Sequence, residues 1–286
     1  MIKIFTDSTC DMPKDLVEKN KIELLSLYIN FGTETIKEMD ISNEEFYKRI
    51  DKEDSLPTTS QPSIQEMTEK FEGFLKEGID VIAVLISSGL SGTFSTANMV
   101  KEALLSEYPE RNIEIIDSKS TSMQMGFAAL IGAKSALENC DFKTSVEKIK
   151  SNIKSSRFLF TPHNMDYLKK GGRIGGAAAL IGNILKINPV LTVGDDGVVE
   201  IVKKIRTKKK AVQGILDRFQ EDVEKYGFGD AVVHHINTLE EAKVLAKKVE
   251  DIIKRPVRIA DIGPVVGAHV GPGSVGIAYY TENEMR

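Results

Sequence analysis

Cysteine is scarce in this chain: Cys10 and Cys140 are the two among 286 residues, and no Cys-x-x-Cys pair occurs. Two cysteines do not make the disulfide framework on which small secreted domains depend. Polar residues follow closely behind the first apolar ones, which is untypical of a secretory signal peptide. We therefore expect a cytoplasmic protein.

Long apolar runs are missing as well. The longest candidate, residues 174–185, has about a dozen residues, whereas a membrane-spanning helix needs roughly 20. The net charge of −4 argues against the broadly basic surface that nucleic-acid-binding proteins present. The composition therefore predicts no integral membrane segment and no nucleic-acid partner. At 286 residues, the chain is long enough for two domains.

Several motifs of enzyme sites are absent or incomplete. Residues 271–276 match the Gly-x-Gly-x-x-Gly spacing of dinucleotide sites, but the residues after them predict a strand instead of the required helix. No Walker sequence for phosphate binding occurs, and Ser91 lacks the second glycine of a nucleophile elbow, because Thr93 stands there. The four histidines have no metal-ligand spacing. We predict neither a metal nor a cofactor.

Apolar strands alternate with amphipathic helices in the first half of the chain. The β-branched run at residues 80–86 predicts a buried strand, and the apolar spacing over residues 93–105 predicts a helix. Such alternation is typical of right-handed crossovers and a parallel sheet.

After about residue 157 the pattern changes. Residues 194–197 (Gly-Asp-Asp-Gly) separate two short apolar runs, as in an antiparallel hairpin. We therefore predict an α/β protein of two domains. Residues 1–160 would form a parallel-sheet α/β domain, and residues 161–286 an α+β domain with a mixed or antiparallel sheet.

Hydroxyl-rich turns follow four predicted strands of the first half, at residues 6–9, 57–63, 87–93 and 117–122. Turns that leave the carboxyl ends of parallel strands share one edge of the sheet, where ligands of open α/β sheets bind. The turn at residues 87–93 precedes a helix, whose free N–H groups and dipole favour an anion. These turns indicate either a seat for a carboxylate or phosphate, or separate helix caps.

Two further segments allow two interpretations each. Residues 203–210 contain six cations, which is typical of a solvated strand end and helix start, or of a docking patch for an acidic partner or a phosphate. Residues 171–179 are mostly glycine and alanine around Arg173. They indicate either close packing of small residues or a flexible loop that exposes Arg173 beside a wall with room for an apolar ligand.

Taken together, these segments resemble the DegV family of bacterial fatty-acid-binding proteins. The resemblance covers nearly the whole chain and rests on the order and spacing of its motifs. These are residues 6–9, 59–63, 87–93, 171–174 and 186–189, with the glycine-punctuated segment around His269. The resemblance implies two α/β domains with the ligand between them.

The resemblance also implies a ligand and a site. A long-chain fatty acid such as palmitate, stearate or oleate would lie buried. Its carboxylate would be held by Thr59 and Ser91, and His269 would complete the head-group network. The neighbouring site residues, taken from the same two motifs, are Ser60, Gly92 and Thr93.

Some members of this family present the carboxylate to a separate fatty acid kinase subunit, which makes acyl-phosphate. The resemblance therefore implies lipid transport and a role in fatty acid metabolism, with no catalysis by this chain alone. Arg173 and Arg206 are the candidate docking residues for such a partner.

Two other hypotheses stay open. In one, the protein is an enzyme acting on a phosphate or acyl ester at the same turns, with Asp7, Ser91 or His269 as the catalytic residue. In the other, it acts only as an interaction module, through Arg173 and the cations at residues 203–210. The sequence assigns no role to Cys10.

Overall fold

The computed structural model describes residues 1–50, 52–53, 55–180 and 187–285. Residues 181–185 of the apolar run, and Lys186 of the motif at 186–189, lie outside the described residues. The strands are β1 (Ile2–Asp7), β2 (Glu23–Leu25), β3 (Tyr28–Phe31), β4 (Glu34–Lys37), β5 (Thr58–Ser60), β6 (Asp80–Leu85), β7 (Ile113–Asp117), β8 (Ser156–Thr161), β9 (Val190–Val193), β10 (Val199–Lys203), β11 (Asp230–Ile236), β12 (Arg258–Asp261) and β13 (Ser274–Tyr280).

The helices surround three sheets that these strands form. They are α1 (Lys14–Lys19), α2 (Asn43–Ile50), α3 (Ile64–Lys76), α4 (Thr93–Glu107), α5 (Ser122–Leu137), α6 (Phe142–Ser155), α7 (Asp166–Lys170), α8 (Lys208–Tyr226), α9 (Leu239–Ile253) and α10 (Pro264–Val270). Short 3₁₀ turns cover Ser8–Cys10, Glu38–Asp40 and Gly175–Leu180.

The first sheet is parallel, in the order β2-β1-β6-β7. Residues 81–85 of β6 are fully buried, because helices α3 and α4 cover one face of the sheet and α5 packs on the other. Burial on both faces explains why β6 is continuously apolar instead of alternating. The predicted strand at residues 80–86, the helix from residue 93 and the parallel sheet are confirmed.

The second sheet is mixed, in the order β10-β9-β8-β13-β11-β12. Strands β11 and β12 run parallel, and its other neighbours are antiparallel. The hairpin predicted around residues 194–197 is confirmed, with Gly197 at φ +76° in its turn. Strand β8 belongs to this sheet although the predicted boundary at residue 160 falls within it. The division at that residue stays a prediction.

The third sheet was not predicted. Strands β4, β3 and β5 form a small antiparallel sheet in which Ile29 lies opposite Thr59. The expectation that residues 57–63 are a turn leaving the parallel sheet is therefore wrong. Strand β5 has three residues and pairs with a strand far earlier in the chain. Its local sequence consequently carries too little periodicity to indicate a strand.

The glycine-punctuated segment around His269 contains a helix that was not predicted. Residues Pro264–Val270 form helix α10, with proline at its first position and Gly271 at φ +84° after its end. Gly267 lies against the hydroxyl of Tyr47, and a methyl group there would overlap it. Close packing therefore requires a glycine inside this helix. Because glycine disfavours helix formation, the sequence did not predict a helix here.

The buried carboxylate of Asp222 ties helix α8 to the mixed sheet. Its Oδ2 accepts a hydrogen bond from the Tyr279 hydroxyl at 2.6 Å and lies 2.9 Å from Arg157 Nε. Its Oδ1 lies 3.0 Å from Arg218 Nε. The Asp222 side chain is 3% exposed and that of Arg157 is 15% exposed, so this pair is largely withdrawn from water.

We expect Asp222→Ala to lower the free energy of unfolding by about 3 kcal/mol, because it leaves the Arg157 guanidinium buried without a counter-charge. Asp222→Asn keeps an acceptor for Tyr279 and should cost less. Urea denaturation measures both values. A loss below about 0.5 kcal/mol for Asp222→Ala, which is typical of a surface substitution, would contradict a structural role for this pair.

Candidate ligand-binding site

A cavity of about 320 Å³ lies between hydroxyl-rich segments of the first half, strand β8 and helix α10. Its volume falls within the range of roughly 300–1,000 Å³ that is usual for small-molecule sites. Strands of the mixed sheet, strand β5 of the small antiparallel sheet and Ile86, which directly follows β6 of the parallel sheet, contribute to its wall. The fold therefore assembles the cavity from parts of the chain that are far apart in sequence.

Most of the cavity wall is apolar. Phe158 and Phe160 lie on the same face of β8, since alternate strand residues share a face, and their rings stack with centroids 5.1 Å apart. Leu159 points to the opposite side and packs in the core beneath α8 and α9. Among the residues that the structure describes, the apolar ones in the wall are Leu27, Ile86, Leu90, Phe158, Phe160, Leu168, Val193, Val199, Val265, Val266 and Val270.

Hydroxyl groups and one imidazole supply polar atoms to this wall. Thr59 Oγ1 lies 2.8 Å from His269 Nε2, which joins β5 to α10. Ser91 Oγ lies 2.9 Å from Thr93 Oγ1 and accepts the Thr93 N–H at 3.3 Å. Thr93 is fully buried behind Ser91 at the start of α4.

Gln61 holds the two hydroxyl-bearing segments together. Its Nε2 donates a hydrogen bond to Thr96 Oγ1 on α4, and its Oε1 lies so close to Gly92 that a Cβ there would overlap it. A larger residue at position 92 would therefore displace the Gln61 amide from this position. Sequence reasoning missed Gln61, although it stands inside the motif at residues 59–63.

Arg173 reaches across the edge of the cavity. Its Nε donates to the Leu90 carbonyl at 3.2 Å, and its guanidinium donates to the Gly171 carbonyl at 2.9 Å. Ser60, Gly92 and Arg173 are exposed while they line the cavity, so the polar part of the wall extends to the protein surface.

The structure brings most of the predicted site residues together. Thr59, Ser60, Ser91, Gly92, His269 and Arg173 line the cavity. Thr93 supports Ser91 from behind and is not among the described residues of the wall. Arg206 is exposed just before α8 and likewise lies away from the described wall. Thr121 lines the cavity as part of the predicted turn at residues 117–122, although it was not singled out. Sequence reasoning missed Leu168 and the two phenylalanines, which reach the cavity only through tertiary contacts.

The turn at residues 6–9 has a different role from the other hydroxyl-rich segments. Asp7 is fully buried, and its carboxylate accepts hydrogen bonds from Thr9 and, at 2.7 Å, from the Ile86 N–H. Burial raises the pKa of Asp7 to about 6. The Asp7 side chain thus links the ends of β1 and β6. Three of the four predicted turns contribute to the cavity wall, and this one supports it from behind.

The three candidate catalytic residues have separate partners. Ser91 bonds to Thr93, His269 to Thr59, and Asp7 to Thr9 and the Ile86 N–H. Among the described residues no hydrogen bond joins one of the three to another. An activated nucleophile needs a base within hydrogen-bond reach. In the part of the chain that the structure describes, Ser91 has no such base, and the hydroxyl that does lie beside an imidazole belongs to Thr59.

Burial controls the charge of His269. Desolvation of its ring, and then the nearby positive charge of Arg173, lower the pKa of His269 to about 4. The imidazole is therefore neutral near pH 7. Its Nδ1 is buried against the backbone of Gly171, where a methyl group would overlap the ring.

The sequence model of the DegV family, which is described as a family of uncharacterised proteins, matches residues 1–282 of this chain. The chain belongs to the DegV family. A DegV domain-containing protein of Clostridium acetobutylicum is 48% identical over 285 residues, which cover 100% of this chain and 99% of the relative. The resemblance stated from the sequence motifs is confirmed.

Solved DegV structures share the whole fold. DegV of Bacillus subtilis, a fatty acid binding protein, superimposes with a TM-score of 0.87 at 32% identity, covering 98% of this chain and 99% of that one. A stearic acid-binding protein of Eubacterium ventriosum gives a TM-score of 0.89 at 26% identity, covering 99% of each chain. The predicted α/β class with a parallel and a mixed sheet is confirmed as the DegV fold.

Two further observations concern metals and membranes. Within the described ranges, no group of three or more His, Cys, Asp or Glu side chains is arranged to hold a metal ion. None of the helices in the described part of the chain combines the length and apolar character needed to cross a bilayer.

We expect the His269 imidazole to titrate with a pKa of about 4, as read from its ¹⁵N NMR shifts and assigned with His269→Gln. Because this pKa lies below the ordinary value of 6.5, folding favours the neutral ring. The resulting contribution to stability is complete above pH 6.5 and is lost as the pH falls toward 4. Titration near the ordinary value would contradict a desolvated ring.

Proposed function

We propose that this protein binds one long-chain fatty acid, such as palmitate, stearate or oleate, in the cavity and carries it. The acyl chain would lie against the apolar wall, and the carboxylate would contact Thr59 and Ser91. The observation that supports this most is the combination, in one cavity, of a mainly apolar wall with hydroxyl groups poised to donate. The fatty acid ligands of the solved relatives support the same reading.

The apolar wall would supply most of the affinity. Burying one methylene contributes about 0.8 kcal/mol, so ten methylenes contribute on the order of 8 kcal/mol before the costs of binding. A hydrogen bond to a charged group contributes only about 1.5–3 kcal/mol net, and the carboxylate must first lose water. The head-group contacts would therefore set the orientation of the ligand more than its affinity.

Thr59 can bind a carboxylate only if the proton of its hydroxyl is free to be donated to the ligand. A hydroxyl carries one proton, and a carboxylate can only accept. If Thr59 donates to the ligand, its Oγ1 accepts from His269 Nε2, which lies 2.8 Å away. His269 then carries its proton on Nε2, as a neutral ring with a single N–H allows. His269 would thus orient the Thr59 proton toward the ligand.

The hydroxyl of Ser91 can likewise donate its proton to the ligand. Its Oγ accepts the Thr93 N–H and lies within hydrogen-bond distance of the Thr93 hydroxyl. With both of these as donors to Ser91, its own proton is left for the carboxylate. Thr93 would therefore act through Ser91, while the neighbouring Ser60 and Gly92 would border the head group at the surface.

We expect the double variant Thr59→Ala, Ser91→Ala to bind palmitate about 10- to 100-fold more weakly, because two hydrogen bonds to a charged group are lost. Isothermal titration calorimetry on lipid-free protein measures the affinity, and circular dichroism checks the fold. Thr58→Ala and Ser95→Ala remove exposed hydroxyls next to the same segments and serve as matched controls. Unchanged palmitate affinity in a folded double variant would reject the head-group assignment.

We further propose that the bound carboxylate is presented to a separate fatty acid kinase subunit, so that this chain is not itself the catalyst. Hydroxyl groups suit this task, since they hold the anion without a fixed ion pair. Arg206 and its exposed neighbours Lys203, Lys204, Lys209 and Lys210 offer an accessible basic surface. Lys208 of the same run is instead paired with Glu241 and the Gly273 carbonyl.

We expect Arg206→Glu to weaken capture of the kinase subunit at least about tenfold by reversing a charge in the proposed interface, while palmitate affinity stays unchanged. Surface plasmon resonance with the kinase subunit as the probe gives the first value. Lys248→Glu, an exposed charge reversal on α9, is the control. Arg173→Glu is less clean, because it also removes the hydrogen bond to Leu90. Full capture by Arg206→Glu would exclude this residue from the interface.

A further inference from the structure

Two carboxylates hold the first turn of helix α10. Asp11 Oδ1 accepts the Gly263 N–H at 2.7 Å, and Glu38 Oε1 accepts the Val265 N–H at 2.7 Å. These acceptors stand 252 and 227 residues away from the groups that they bind. The start of a helix has N–H groups without intrahelical partners, and a carboxyl oxygen can accept a hydrogen bond from them whether or not the acid is ionised. Both partners are supplied by the opposite end of the chain.

The fit around this turn is tight. A methyl group on Gly263 would lie 2.6 Å from Glu38 Oε1 and 3.0 Å from Asp11 Oδ1. One turn later, Gly267 packs against the Tyr47 hydroxyl. His269 stands two residues further along the same helix. The position of the first turn therefore determines the position of the imidazole.

Each carboxylate is in turn fixed by the first half of the chain. Asp11 Oδ2 accepts a hydrogen bond from the Ser122 hydroxyl at 2.6 Å, at the start of α5. Glu38 directly follows strand β4, which pairs with β3, and β3 pairs with β5, the strand that bears Thr59. The contacts form a closed ring, from Thr59 through the small sheet to Glu38, along α10 to His269 and back to Thr59.

We propose that the carboxyl groups of Asp11 and Glu38 form a latch that positions α10 and so keeps His269 within hydrogen-bond distance of Thr59. They are positioning residues, since they act on the head-group site through His269. The link to ligand affinity rests on the proposed fatty-acid-binding function, whereas the effect on the Thr59–His269 bond does not.

The position of Glu38 is costly to the fold. The residue is 5% exposed, and burial raises the pKa of Glu38 to about 7. Desolvation, and next the charge of Glu38, raise the pKa of Asp11 as well. Apolar residues would fill this space at less cost but could not accept the helix N–H groups. The arrangement is therefore better explained by placement of α10 than by packing.

The latch is tested first in lipid-free full-length protein. We expect Glu38→Ala to speed hydrogen exchange of the Val265 amide about tenfold, since that amide loses its acceptor. The His269 Nε2 NMR shift should move toward that of Thr59→Val, in which the bond to Thr59 cannot form. Glu38→Gln keeps an acceptor and should restore both values. Asp222→Asn removes a buried charge elsewhere and should leave the His269 shift unchanged.

Palmitate titration then separates the two proposals. We expect about tenfold weaker palmitate binding by Glu38→Ala and recovery by Glu38→Gln. An unmoved His269 shift in folded Glu38→Ala would overturn the latch, whatever the affinity. A moved shift in a protein that binds no palmitate in any form would overturn the proposed function and leave the latch supported.

If Glu38→Ala does not fold, Gly263→Ala takes its place, because its methyl group displaces both carboxylates while every polar group remains. The same shift of the His269 signal is expected. An unmoved His269 signal in folded Gly263→Ala would overturn the latch.

Discussion

The hydrogen bond between Thr59 and His269 joins two residues that stand 210 positions apart, and the candidate site depends on it. On one side is a three-residue strand of a small antiparallel sheet, and on the other a seven-residue helix. Neither element would be stable alone, because short elements depend on tertiary packing. The fold stabilises both, and the cavity lies where they meet the two larger sheets.

The wall of the candidate site has an apolar part and a smaller polar part. Apolar residues from β8, α10 and the ends of other strands make the greater part, and they favour a long hydrocarbon chain without fixing its orientation. The hydroxyls of Thr59 and Ser91 are directional, and each is backed by a neighbour that can fix its proton. A neutral His269 suits this arrangement, since a charged ring would pair with a carboxylate and hold it in place.

Local periodicity was sufficient to predict the elements that are long or buried on both faces, such as β6 and α4, and turn chemistry was sufficient for the hairpin at residues 194–197. Local periodicity did not predict β5, which is too short to show a period. It did not predict α10 either, because the close approach of Tyr47 requires a glycine inside that helix. Thr59, Ser91 and His269 were proposed from the motifs of a family, because such motifs mark residues that meet only in the folded protein. Gln61 and the phenylalanines of β8 reach the site through tertiary contacts that a linear pattern does not contain.

Fatty acid binding in the cavity is tested first by identifying the lipid that the protein carries when it is purified without added ligand. Denaturing mass spectrometry with lipid extraction gives both the species and its stoichiometry. We expect close to one C14–C18 fatty acid per chain, because burial of that many methylenes makes release slow. A protein that is purified without lipid, and then fails to take up added palmitate or oleate, would rule out fatty acid binding by this cavity.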